Sequence, residues 1–598
     1  MCQGRSGPQS RFHAGVLRVP RHSPHLPLGV SVPACADLVF VNGSVLTVDA
    51  EFTVASELAV TGGRITAVGG PGETSALVGP DTQVIDLKGG TLLPGINDSH
   101  LHGCAFGMSS PPLALDLRFP AVRSIADIAE AVRAAAEAAP DGQWIIGIGW
   151  DSGYLAECEA DPSRLPSRHD LDAVSPRHPV LLQDFSGHAS WVNSAALALA
   201  GVSGRTVPPP GGAIVTDESG EPTGLLREGA QACVQQALPP LTPEIRAAAI
   251  RSTLAKLRAL GITSYTEPGL GPGGGQIMGG ALSQETLEVY RRLLADGELT
   301  ARVSVLLLPT GLSSTAREFA RALDRIEVPA SEDSRRLNVI GVKIFADGIP
   351  PNKTAWMHEA YLGGGCGALC VGGETDEERI AEIGEMVRHA HLAGHQLGVH
   401  VTGDRGIDTV VDAFVSVNAK HPRPDARHYV IHGDFLTPRS MARLAEHGFG
   451  VNMNPNIKWT VADLEEGFVG PERAAYEWPY RDAVDAGITV ASGSDAPVAF
   501  PDWRQGIATM LLRESKASGR VSGPEQCITL AEAVRTYTIN AAWQDFADSW
   551  KGSLEVGKVA DLCGLSGDLL TADPHDIPDL PVVLTVLDGE IVHDLLTE

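Results

Sequence analysis

Five apolar runs in this chain end in a cluster of polar residues: "DSHLH" (98–102), "GVKIFADG" (341–348), "VHVTGD" (399–404), "VIHGD" (430–434) and "SGSDAP" (492–497). Short runs rich in Val and Ile read as buried strands. Amphipathic stretches of helical period fall between them, such as "TPEIRAAAIRSTLAKLRALG" (242–261) and "DEERIAEIGEMVRHAHLAG" (376–394). Strands alternating with helices over this length predict an α/β fold, either a parallel barrel or a doubly wound sheet. In a barrel the active site gathers at the C-terminal ends of the strands. Strand ends carrying His, Lys and Asp are therefore a site pattern.

The two ends of the chain have a different texture. "ADLVFVNGSVLTVD" (36–49), "ELAVTGGRITAVGG" (57–70) and "TQVIDLKGGTLLPG" (82–95) are short strands parted by glycine turns, and "VVLTVLDGEIVHD" (582–594) matches them. Segments 36–93 and 552–598 are predicted to build one small β domain together. The 598 residues exceed one simple core, so several domains or one large barrel with insertions are expected. The barrel is placed at 94–551. The stretch from about 106 to 224 is long for one strand–helix unit and reads as an inserted subdomain over the barrel mouth. "QWIIGIGW" (143–150) and "HPVLLQDF" (178–185) are counted with the alternating strands.

His100 and His102 are two residues apart, and residues at that spacing on a strand face one side. Both rings can thus reach one metal ion, although two solvated loop histidines would show the same spacing. His400 and His432 each close an apolar strand, bringing the strand-end histidines to four, enough for two metal sites that share ligands. Asp495 can ligate metal and take a proton from bound water. It also suits an Asx turn before Pro497. Lys343 lies inside an otherwise apolar strand, where an unpaired ammonium is costly. An ion pair with Asp347 would relieve this, and so would carboxylation of the amine by CO2. The spacing leaves both open.

The net charge of −27 disfavours nucleic acid and anionic membrane as partners. No apolar run approaches the roughly 20 residues of a membrane span. Nine scattered cysteines, with no zinc-type pair, fit a reducing compartment. Residues 1–35 are basic and broken by prolines, and are read as a tail or extension outside the folded enzyme. Cytoplasmic location is the expectation.

Taken together, "PGINDSHLH", "VKIFADG", "HVTGDR", "IHGDF" and "GSDAPV" resemble the metal-dependent amidohydrolase superfamily. The resemblance is to the amidohydrolase-3 subgroup, which includes N-substituted formamide deformylases. "GHASWVNSAAL" (187–197), "GEPTGLLREGA" (220–230), "TYTINAAW" (536–543) and "GSLEVGKVADL" (552–562) extend it from Ala36 to the C-terminus. The resemblance implies a distorted (β/α)8 TIM barrel with a β-sandwich assembled from both chain ends. It implies metal ligands at His100, His102, His400, His432 and Asp495. It also implies zinc, two divalent ions, and carboxylation of Lys343 as the bridge. "ADGIPPNKTAWM" (346–357) departs from the Gly/Ser-rich continuation usual after "DG", which bears on substrate contacts.

The chemistry this implies is hydrolysis of a linear amide, an N-substituted formamide or an N-acyl compound, by metal-activated hydroxide, with Asp495 as the proton carrier. His188 is a candidate catalytic contact to substrate or oxyanion. Trp191, Asn193, Glu267, Asp347 and Trp356 are candidate substrate contacts. Each also has a structural alternative, Asn193 as a helix cap and Trp356 as core. An esterase, lactonase or deaminase is the alternative on this scaffold, and Gly403 stands where purine-type deaminases carry Glu. A non-catalytic barrel with an assembly role is the remaining reading. The expected partner is a small amide-type substrate, and a homodimer is the family-level expectation.

Overall fold

Eight strands lie parallel and side by side in the order in which the chain makes them. They are β1 (Ile96–Asp98), β2 (Ile262–Leu270), β3 (Arg302–Leu307), β4 (Leu337–Phe345), β5 (Gln396–Val401), β6 (Tyr429–His432), β7 (Gly450–Met453) and β8 (Thr489–Ser492). This computed structural model describes residues 35–596 apart from 120, 186, 210, 276, 329 and 330. The predicted tail, 1–35, lies outside the described residues except for Cys35. The first and last strands close the barrel beyond their ends. Leu101 bridges Ala496 in parallel, the His102 N–H donates to Ala496 O at 2.9 Å, and the Asp495 N–H donates to His100 O at 2.7 Å.

The strands form because their runs are apolar on both faces, as parallel strands covered by helices require. Strand β5 is buried along its whole length. Helix starts are written into the sequence. Thr242 caps the helix Pro243–Ala259, with proline at its first turn, and Thr375 with Glu378 forms a capping box on Asp376–Leu392. One apolar core runs between barrel and helices. Among the described residues no helix is long and apolar enough to cross a membrane.

Both chain ends share a six-stranded sheet. Leu562–Leu565 pairs with Thr91–Pro94, and Val582–Leu587 and Ser44–Leu46 flank them. A four-stranded sheet from residues 38–86 joins it through a common core that includes Phe40, Leu58, Leu92, Leu562 and Val586. Buried Arg302 on β3 ties this region to the barrel. Its Nε donates to Asp561 Oδ2 at 2.6 Å and its Nη2 to Asp561 Oδ1 at 2.9 Å. The chain crosses from sheet to barrel at Gly95, where a Cβ would lie 2.2 Å from Thr263 Oγ1. Only glycine fits there.

The strands Ile145–Trp150 and Val180–Asp184, counted above with the alternating series, belong to a separate six-stranded sheet spanning Leu115–Asp116 to Pro222–Arg227. It has its own apolar clusters, around Ile128, Leu182 and Trp191 on one side and Leu181, Val192 and Leu226 on the other. Alternation of strand and helix marks a layered α/β unit without saying which sheet a strand joins.

Candidate active site and metal centre

Strand β1 ends at Asp98, and the chain continues extended enough that His100 and His102 turn to the same side. His100 Nε2 lies 3.2 Å from Asp495 Oδ1, and His102 Nε2 lies 3.4 Å from the same oxygen. The ligand atoms of these three residues lie within 4.8 Å of one another, the one such His/Cys/Asp/Glu group among the described residues. Asp98 braces the turn by accepting the His100 N–H at 3.2 Å and the Ser494 N–H at 3.0 Å. Burial pushes its carboxyl up to about 7.

His400 ends near the tip of β5 and His432 closes β6. Their rings are 4.6 Å apart, and His432 is 5.1 Å from His100. His432 Nδ1 lies 2.7 Å from Asn454 Oδ1, while Asn454 Nδ2 donates to Gly493 O at 2.9 Å. That second bond fixes the amide, so His432 carries its proton on Nδ1 and keeps Nε2 free. His400 Nε2 lies 3.2 Å from Gly348 O, which holds the proton there and leaves Nδ1 free. Both His432 (φ 76°) and Asp495 (φ 57°) are in the left-handed region. Such backbone is uncommon outside glycine and concentrates at functional sites.

Burial lowers His100 to about 4 and His400 to about 3, with Lys343 adding to both, and lowers His432 well below its ordinary value. Burial also lowers His102, but the carboxylates of Asp495 and Glu267 outweigh it and the net shift is upward. Burial would raise Asp495; the neighbouring His100, with His102 and His432, reverses this and holds it well below the carboxylate range. His100, His400 and His432, held neutral beside an ionised carboxylate, belong to the donor set a divalent cation takes.

Lys343 is 2 % exposed on β4 and, among the described residues, makes no hydrogen bond or ion pair. Its Nζ lies 4.9 Å from the Phe345 ring, which is itself 5.4 Å from His400. Burial lowers the amine to about 7, against the pull of Asp495. The ion pair with Asp347 does not form. Asp347 accepts the backbone N–H groups of Trp356 (2.9 Å), Thr402 (3.0 Å) and Gly403 (3.0 Å). Its carboxylate braces the loops after β4 and β5 instead.

A family model described as "Amidohydrolase family" matches residues 83–593. The chain belongs to the amidohydrolase family. Among similar proteins, the amidohydrolase YtcJ of Bacillus subtilis is 30 % identical over 86 % of this chain and 91 % of its own. The N-substituted formamide deformylase of Arthrobacter pascens is 29 % identical over 93 % of this chain and 98 % of its own. The crystal structure of an uncharacterized metal-dependent hydrolase from Pyrococcus furiosus superposes with a TM-score of 0.67 at 24 % identity, covering 90 % of this chain and 99 % of that one.

The structure of this amidohydrolase gathers His100, His102, Lys343, His400, His432 and Asp495 at one end of the barrel. It places His188, Trp191 and Asn193 away from that cluster. His188 immediately precedes the strand Ala189–Val192 of the separate six-stranded sheet, its Nδ1 2.9 Å from Glu228 Oε2, beside a cavity of about 410 Å³ that Trp150, Phe185 and Arg227 also line. Trp191 is fully buried there, donating from Nε1 to Ser167 O at 2.8 Å. Asn193 caps the helix Ser194–Leu199 and donates to Ser175 O and His178 O. Trp356 is core, with Arg405 4.0 Å above its ring. These three side chains are occupied by packing rather than open to substrate. Glu267 faces His102 at 3.4 Å. The amidohydrolase's Asn454 and Asp98 lie outside the residues the sequence pattern marks as candidates. The only signal is their place beside strand ends, in "NMNPN" and "NDSH".

Proposed function

We propose that this amidohydrolase hydrolyses the carbon–nitrogen bond of a small linear amide, of the N-substituted formamide or N-acyl type, at a zinc centre held by His100, His102, His400, His432, Asp495 and carboxylated Lys343. The observation that carries the reading is Asp495 Oδ1 standing 3.2 and 3.4 Å from two imidazole nitrogens, with two further strand-end histidines alongside. The similarity to the formamide deformylase over nearly the full length of both chains supports the substrate class.

Zinc bound by these ligands would acidify water and polarise a carbonyl. The protein's own groups do the rest. Asp495 accepts the water's proton on a carboxylate oxygen and passes it to the departing nitrogen, which leaves as the amine. Burial of the ligands excludes bulk water and strengthens each charge interaction. Lys343 makes no hydrogen bond or ion pair with the described residues, so its Nζ, when neutral, could add to CO2: an N–C bond would form as a C=O π bond opens, one N–H proton would leave, and the resulting carboxylate would be a further ligand.

The test is Asp495→Asn assayed with N-substituted formamides, N-acyl amino acids and aryl esters. The expected result is hydrolysis of the amides by wild type and near-complete loss of turnover in the folded, zinc-loaded variant. Near-normal turnover in that variant refutes the proton-carrier role. Preference for the aryl esters refutes the substrate class.

A further inference from the structure

Behind His102, on the side away from Asp495, lies a run of buried polar groups. Glu267 projects from β2 and is 1 % exposed. Its Oε2 accepts the Gly103 backbone N–H at 2.8 Å and the Tyr290 hydroxyl at 2.9 Å. The Tyr265 hydroxyl donates in turn to Tyr290 Oη at 2.8 Å. Two donors on one oxygen pin the carboxylate, so it cannot turn. Its other oxygen, Oε1, is buried without a hydrogen-bond partner. Facing it at 3.4 Å is His102 Nδ1, likewise buried and unmatched.

Oε1 of an ionised carboxylate can only accept, and the imidazole nitrogen opposite must then carry the proton. Fixing the proton on Nδ1 leaves the Nε2 lone pair pointing at Asp495. Carboxylates that orient a ligating histidine in this way also raise its basicity. Gly103 shows how tightly the arrangement is built. A Cβ at that position would lie 2.5 Å from Tyr290 Oη and 2.8 Å from Tyr265 Oη. The glycine after "HLH" is required by the tyrosine pair.

We propose that Glu267 is a positioning residue for the metal centre, not a substrate contact: it fixes the tautomer and aim of His102 and is itself locked by Tyr290 and Gly103. The proposal rests on the reading that His102 ligates a cation.

The experiment measures zinc affinity by competition with a chromophoric chelator. Wild type, Glu267→Gln, Tyr290→Phe, Tyr265→Phe, His102→Ala and the double variant His102→Ala/Glu267→Gln are compared, with folding checked by circular dichroism. Glu267→Gln is expected to weaken zinc binding about 10–100-fold. Tyr290→Phe should weaken it by less, and Tyr265→Phe, which reaches the carboxylate only through Tyr290, should leave it unchanged. In the His102→Ala background, Glu267→Gln should have no further effect. Wild-type affinity in folded Glu267→Gln overturns the proposal, as does the same fold-loss with and without His102. If Glu267→Gln does not fold, Tyr290→Phe carries the test, and wild-type affinity there overturns it. Absence of zinc binding by wild type overturns the metal centre itself and this proposal with it.

Discussion

Lys343 lies near the end of β4 and Asp347 two residues beyond it, yet the carboxylate does not pair with the amine. Asp347 is saturated by three backbone N–H groups, and Lys343 is left buried among the histidines. Zinc-loaded protein prepared in 13C-labelled bicarbonate is expected to show a carbamate carbon resonance that Lys343→Met lacks. A spectrum with no such signal contradicts carboxylation.

Arg302 and Asp561 hold the barrel to the sheet shared by the chain ends, and both are about 95 % buried or more. Removing one member of a buried pair leaves the other uncompensated. Asp561→Asn is expected to destabilise the protein by about 3 kcal/mol, the low end for such a pair, because Asp588 still reaches Arg302. Chemical denaturation measures this. Turnover per folded molecule should stay near wild type, since the pair lies away from the metal ligands.

His391 and His428 form a buried dyad with a single workable proton arrangement. The Leu397 N–H donates to His428 Nδ1 at 3.1 Å, His428 Nε2 donates to His391 Nδ1 at 2.8 Å, and His391 Nε2 donates to His421 O at 2.8 Å. Both rings must be neutral, and burial lowers both in the folded state. The unfolded chain therefore binds more protons once the pH falls below about 6.5. Stability is complete above that value and falls as the pH drops through the window beneath it, by up to about 1.4 kcal/mol per pH unit for each histidine. Denaturation midpoints between pH 7.5 and 5 in wild type and in His391→Gln/His428→Gln check this (ranges of about this width follow from the ordinary histidine value). The variant should show a shallower slope, and an unchanged slope would assign the pH dependence to other groups.

His432 is aimed by Asn454, whose amide is fixed in turn by Gly493 O. Asn454→Asp keeps an acceptor for Nδ1 but loses the donor to Gly493 O. Asn454→Leu loses both. Zinc affinity is expected to fall about 10-fold or more in Asn454→Leu and by less in Asn454→Asp. Equal affinities in all three proteins would remove Asn454 from the site.

Residues at strand ends were legible in the sequence because parallel strands must be apolar, so a histidine or lysine at their tips stands out. His100, His102, Lys343, His400, His432 and Asp495 all announce themselves in this way, and the structure gathers them. Glu267 and Asn454 support the site through tertiary contacts across the barrel, between residues far apart in the chain. No local pattern encodes such pairs. Lys343 and Asp347 illustrate the limit at short range, since sequence proximity suggested a pair and the backbone of the next loop took the carboxylate. The motif around Trp191 and Asn193 is distinctive, yet those side chains serve the inserted sheet: the residues that build a layered fold and the residues that bind substrate draw on the same types. The insertion's strands were visible as strands, but which sheet they join depends on contacts between elements.

If the strand-end cluster is a metal centre that cleaves a carbon–nitrogen bond, metal content and activity rise and fall together. The most direct measurement is metal content and amide hydrolysis of the same purified sample before chelation, after it, and after zinc is restored. Bound metal is expected at the outset, with loss of metal and activity together and recovery of both with zinc. Full activity in protein shown to be free of metal would contradict this expectation.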